Sequence, residues 1–134
     1  MDELAIIRQE QARRELARRH FSWYLPSVQG KTWINTKFST FLAMKTQEFI
    51  ELKTDHAYDI LVIETPPQHG KSLTVTESLP SWYLGRHPDK HVIEISYNED
   101  FAIKFGRRNK RKIEEFGEDI FGLNGVCYIS STHS

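Results

Sequence analysis

The chain has 134 residues, room for a single domain with a modest core. Its 18 basic and 18 acidic residues cancel, so no global basicity points to nucleic acid, and the lone Cys127 excludes an internal disulfide and suits a reducing compartment. No apolar run approaches the roughly 18 residues a membrane helix needs, and Met1-Asp2-Glu3 does not open a secretory leader, so a cytoplasmic protein is expected.

Residues from Glu3 to about His20 contain no glycine or proline and are rich in Ala, Leu, Glu, Gln and Arg. They predict a helix with only a narrow apolar face (Ile6, Ile7, Ala12, Leu16, Ala17). The stretch from Phe21 to Pro26 is expected to end it, and Gln29-Gly30-Lys31 reads as a loop. From Thr36 to about Lys53 a second helical pattern places Phe38, Phe41, Leu42, Phe49, Ile50 and Leu52 largely on one side. These elements make residues 1–55 an N-terminal helical segment.

The run Ile60-Leu61-Val62-Ile63, bounded by a turn, predicts a strand buried on both faces. Lys71 to about Leu84 reads as a helix, with a break expected near Leu79 because Pro80 sits inside it. Gly85 to Asp89 is a turn, and His91 to Ser96 predicts a second strand. Asn98 is placed to cap a helix from Phe101 to about Phe116. Strands alternating with helices imply parallel pairing and a three-layer α/β core over 56–122. Only its front part is visible, and 123–134 is a tail matching no further element.

Asp59 to Leu73 is laid out as a phosphate-binding loop: an apolar run, a tight turn, then Gly70-Lys71-Ser72 opening a helix. In such a loop Thr65, Pro66, Pro67, Gln68, His69 and Gly70 form the cradle, Lys71 reaches the β- and γ-phosphates of a nucleotide, and Ser72 holds Mg²⁺. Thr65 stands where the usual pattern has glycine, and two prolines follow it. Hydrolysis also needs carboxylates near the metal, ordinarily at the end of another buried strand. None is evident: Glu94 lies mid-run, Asn98-Glu99-Asp100 reads as a helix start, and Glu64 points away, so the catalytic residues are unknown.

Two basic clusters stand out, Arg8 to Arg19 and Lys104 to Lys112. Both read as solvated helix faces, with Arg107, Arg108 and Arg111 as candidates for contact with DNA or, in trans, with a neighbouring site. Trp82 reads as core, and Trp33 as packing, with stacking on a base as its alternative.

Pro66-Pro67-Gln68-His69-Gly70-Lys71-Ser72, the stretch Leu79 to Gly85, Pro88, Ser96-Tyr97, Phe101-Ala102 and Gly106 to Arg111 together resemble the N-terminal ATPase region of the large terminase subunit of tailed bacteriophages. One branch of that family also lacks the first glycine. Gln68 departs from it, standing where the family frequently has arginine. The resemblance implies a P-loop NTPase-like fold, ATP and Mg²⁺ as cofactors, and hydrolysis driving double-stranded DNA into a procapsid in the bacterial host cytoplasm. The implied partners are that DNA, a portal protein and a small terminase subunit, with a homo-oligomer in the intact motor. The competing readings are a non-catalytic prophage remnant that binds nucleotide weakly or not at all, and an unrelated P-loop enzyme such as a small-molecule kinase.

Overall fold

The computed structural model describes residues 2–68 and 70–124; the tail from residue 125 on, Cys127 and His69 lie outside them. The N-terminal segment folds as three helices. Asp2 caps α1 (Glu3–Arg19) by accepting from Leu4 N at 3.4 Å. Four of the five arginines of α1 are paired along the helix itself: Arg13 and Arg14 with Glu10, and Arg18 and Arg19 with Glu15, at the three- and four-residue spacings that place side chains side by side. Hydrogen bonds from Arg13 and Arg14 hold the Glu10 carboxyl down at about 2.

The chain then turns at His20, in extended conformation, into α2 (Phe21–Gln29). Pro26 was expected to stop a helix here, yet it lies inside one. It forfeits only the bond to Ser22 O in the first turn, and its own carbonyl accepts from Gly30 N at the helix end. A short 3₁₀ turn (Gly30–Thr32) leads to α3 (Lys37–Ile50). A reciprocal box starts α3: Ser39 N donates to Thr36 Oγ1 at 3.0 Å and Thr36 N to Ser39 Oγ at 2.8 Å.

After a π turn (Ser72–Thr76) come α4 (Leu79–Arg86) and α5 (Glu99–Phe121). Asn98 caps α5 as its position predicts, accepting from Asp100 N at 2.8 Å. The helix runs on past Phe116 to a left-handed cap at Gly122.

The core gathers where these helices meet. Trp82 of α4 is fully buried, its ring 5.2 Å from that of Phe21, its Nε1 donating to Ala17 O at 3.0 Å, and the Arg86 guanidinium 4.5 Å from its centroid. Ala17, Leu25, Ala43 and Ile120 close around it. Tyr24, equally buried, shares a 2.7 Å bond with Ser81 Oγ; burial pushes its hydroxyl pKa up.

The expected α/β core with parallel strands is not present among the described residues. The runs over 60–63 and 91–96 pair with no neighbour, and Ile60, Val62, Ile93 and Ile95 are 73%, 73%, 83% and 91% exposed. A β-branched run signals an extended backbone that packs well in a sheet, but a strand exists only where another lies alongside. Here the helices bury one another and leave both runs outside. Within 91–96 only Glu94 and Ser96 are partly covered, and Asn109 of α5 donates to Glu94 Oε1 at 3.3 Å.

Gly85, expected in a turn, is a helical residue at the crossing of α4 and α5. A Cβ there would lie 2.4 Å from the Phe121 ring. Gly85→Ala is therefore expected to destabilise the protein by about 1–3 kcal/mol in denaturant titration; unchanged stability would show that the two helices are not in contact there. Glu94 supplies a pH test. Burial, with the Glu77 charge adding to it, raises the Glu94 pKa against the opposing effects of Asn109 and Lys112. The folded state thus binds this proton more tightly than the unfolded state, and the stability it contributes appears as pH falls through the raised pKa. Glu94→Gln should raise the thermal midpoint at pH 7 by a few degrees at most, the difference shrinking toward pH 4. A variant less stable than the parent at pH 7 would contradict this.

Candidate phosphate-loop site

Pro80 shapes the site from eight residues beyond Ser72. In a continuous helix its ring would collide with the carbonyl of Thr76, and it has no N–H to offer that carbonyl. The chain resolves the conflict by breaking. Thr74 N bonds Gly70 O at 2.9 Å in α-helical spacing, but Glu77 N reaches back five residues to Ser72 O, also at 2.9 Å. Helix α4 then restarts at Leu79 with Pro80 in its first turn, where a missing N–H costs nothing. The break falls where the sequence places it.

Breaking a helix strands carbonyls, and three of them, those of Leu73, Thr76 and Glu77, are claimed by side chains. Ser78 Oγ donates to Leu73 O at 2.7 Å, and Gln29 of α2 bonds both Ser78 Oγ at 2.6 Å and Leu73 O at 3.4 Å. Asn109 Nδ2 donates to Thr76 O at 2.8 Å and Lys112 Nζ to Glu77 O at 2.6 Å. The Glu77 side chain, 7% exposed, is ion-paired with Arg108. Burial lowers the Lys112 pKa, partly offset by the Glu77 charge. Gln29, Glu77 and Asn109 went unread in the sequence as parts of this site. The signal for them was Pro80, which announces an unsatisfied carbonyl four residues earlier.

Ahead of the turn, Thr65 is half-buried, whereas Pro66, Pro67, Gln68, Gly70, Lys71 and Ser72 are exposed. Gln68 (φ +63°) and Gly70 (φ +76°) are both left-handed. That conformation suits Gly70 and strains Gln68. A Cβ at Gly70 would meet nothing within 4 Å, so one side of the loop stands open. The N–H groups of Lys71 and Ser72 head the turn without a partner inside it, and Lys71 makes no ion pair among the described residues.

Beside the loop lies a cavity of about 330 Å³, lined on one side by Trp33, Ile34 and Phe38 and on the other by Gln68, Gly70 and Thr74. Trp33 lines this cavity with its side chain, and its Nε1 is buried with no hydrogen-bond partner among the described residues, an uncommon state for an indole N–H. The cavity, the open glycine side and the unpaired lysine fit a nucleotide. Its base and sugar would face Trp33 and Phe38, and its phosphates the 70–72 amides and Lys71. Ser72, an exposed residue, would hold the metal.

The three arginine candidates separate. Arg108 is ion-paired with Glu77, while Arg107 and Arg111 make no ion pair among the described residues; all three, with Lys104 and Asp100, line a shallow cavity of about 520 Å³ on the outer face of α5. Glu77, the first carboxylate after Ser72 in the chain, is held by that pair and is not available to a metal at the loop.

Residues 62–124 match the family model for the terminase large subunit, T4likevirus-type, N-terminal. No curated protein and no solved structure matches the chain. The matched stretch takes in the loop, the broken helix and α5, and leaves outside it Gln29, and Trp33 and Phe38 on the other side of the cavity. Over residues 62–124, just under half of its length, the chain is similar to the N-terminal region of the T4-type terminase large subunits.

Proposed function

We propose that this terminase region binds ATP with Mg²⁺ at the loop Thr65–Ser72, and that in the packaging motor this binding serves the translocation of double-stranded DNA. The observation that carries the reading is an apolar cavity lined by Trp33 and Phe38 on one side and by Gln68 and Gly70 of the loop on the other, next to Lys71, which makes no ion pair among the described residues. An apolar pocket with a few convergent polar groups is the usual form of a small-ligand site. The five-residue turn after Lys71 is too short to contribute much helix dipole, so the amides and the lysine charge would carry the phosphates. Arg107, Arg111 and Lys104, exposed on α5, are the side chains we assign to the DNA backbone. Portal protein and small terminase subunit are the further partners this role implies.

Binding without turnover by this chain alone is the form of the proposal the site favours, since Glu77 is already paired and no other carboxylate is positioned by the described bonds at Ser72.

Calorimetric titration with Mg·ATP separates the parts. Lys71→Ala should abolish detectable binding, and binding equal to the parent would remove the loop assignment. Trp33→Ala should weaken ATP by about tenfold, the loss expected for one base-stacking contact, yet leave inorganic tripolyphosphate unchanged. Equal losses for both ligands would place the base elsewhere.

A further inference from the structure

In an unbroken helix the N–H of residue 80 would donate to the carbonyl of residue 76. Pro80 has no such donor. Asn109 Nδ2 supplies one from α5, at 2.8 Å from Thr76 O. Asn109 is 5% exposed, and its amide is fully used. Nδ2 also donates to Phe105 O at 3.0 Å and to Glu94 at 3.3 Å, while Oδ1 accepts from Ser81 N at 3.1 Å. These partners fix the orientation of the amide, because a carbonyl can only accept and a backbone N–H can only donate. One side chain therefore joins the end of the loop turn, the beginning of α4 and the middle of α5. Its helix neighbours Arg108 and Lys112 hold the Glu77 carboxylate and carbonyl beside it.

We propose that Asn109 is a positioning residue for the phosphate loop: its amide stands in for the missing N–H of Pro80 and sets the placement of Ser72–Thr76, and with it that of Ser72 toward Mg²⁺. The proposal rests on the nucleotide reading above. Ser72 opens the turn whose far end Asn109 holds, and only one turn of backbone separates them. A displaced Thr76 carbonyl is thus passed to Ser72 with little chain between to absorb it. A role confined to overall stability would lower all nucleotide affinities alike. A positioning role removes the part that depends on the metal.

The experiment titrates the full chain, Asn109→Ala, Asn109→Asp and Lys71→Ala with ATP, once with Mg²⁺ and once with a chelator, alongside circular dichroism. Asn109→Asp keeps the acceptor for Ser81 N and removes the donor to Thr76 O. Both Asn109 variants should lose about tenfold in Mg·ATP affinity, as for one buried hydrogen bond, and lose far less with metal-free ATP. Should either variant unfold, hydrogen exchange on the unmutated chain decides the question. Adding Mg·ATP should slow exchange at Thr74 and Glu77 together with the Ser81 amide that bonds Asn109. Asn109 variants that bind Mg·ATP like the parent, while Lys71→Ala does not bind, would overturn the positioning role and leave the nucleotide site standing. Protection confined to the loop and absent at Ser81 would overturn it as well. A parent chain that binds no ATP removes both.

Discussion

Pro80 denies the helix after the loop both a donor and the room to continue, and a set of long-range polar bonds gathers at the break that results. Gln29 arrives from α2, Ser78 from the break itself, and Asn109, Arg108 and Lys112 from α5. Leaving a buried carbonyl unpaired costs about 1–3 kcal/mol, so each of these donors is worth more than its net hydrogen bond suggests. The break thereby ties the N-terminal helices, the loop and α5 together. Trp82, two residues beyond Pro80, seals the same junction with apolar surface against Phe21 and Ala17.

This arrangement explains why the candidate site draws on chain segments far apart in sequence. The apolar wall comes from Trp33 and Ile34 and from Phe38 at the start of α3, and the loop side from the turn between an exposed extended run and α4. Gln29 lies at the end of α2 and bonds the turn directly, so the same contact that satisfies Leu73 O also holds the two sides of the cavity together. Glu77 and Arg108 neutralise each other at the base of the turn. Lys71 at the loop and Arg107 and Arg111 on α5 are exposed and make no ion pair among the described residues.

Local chemistry was legible in the sequence, and distant partnership was not. The exposed first helix, the Asn98 cap, the break near Leu79 and the burial of Trp82 all follow from residues within a few positions of one another. The apolar runs at 60–63 and 91–96 were read as strands of a sheet, but composition reports a preference for extended backbone and says nothing about which neighbour will lie alongside; here none does. The Pro26 helix was missed because the turn at His20 resets the count of helical positions. The loop residues Thr65 to Ser72 were identifiable as a contiguous pattern, whereas Gln29 and Asn109 reach the turn from 44 and 33 residues away, respectively, and have no pattern of their own. The α1 and α5 arginines looked alike in sequence. Only the three- and four-residue pairing with Glu10 and Glu15 distinguishes the neutralised set from the outward-facing one.

The central claim is that the loop and the Trp33 cavity form one nucleotide site. A structure of the chain determined with Mg²⁺ and a non-hydrolysable ATP analogue tests it most directly. The account predicts the triphosphate over the 70–72 amides with Lys71 against it, the metal at Ser72, and the base in the cavity against the Trp33 side chain. An analogue bound elsewhere, or a cavity that stays free of it at saturating concentration, would contradict the account.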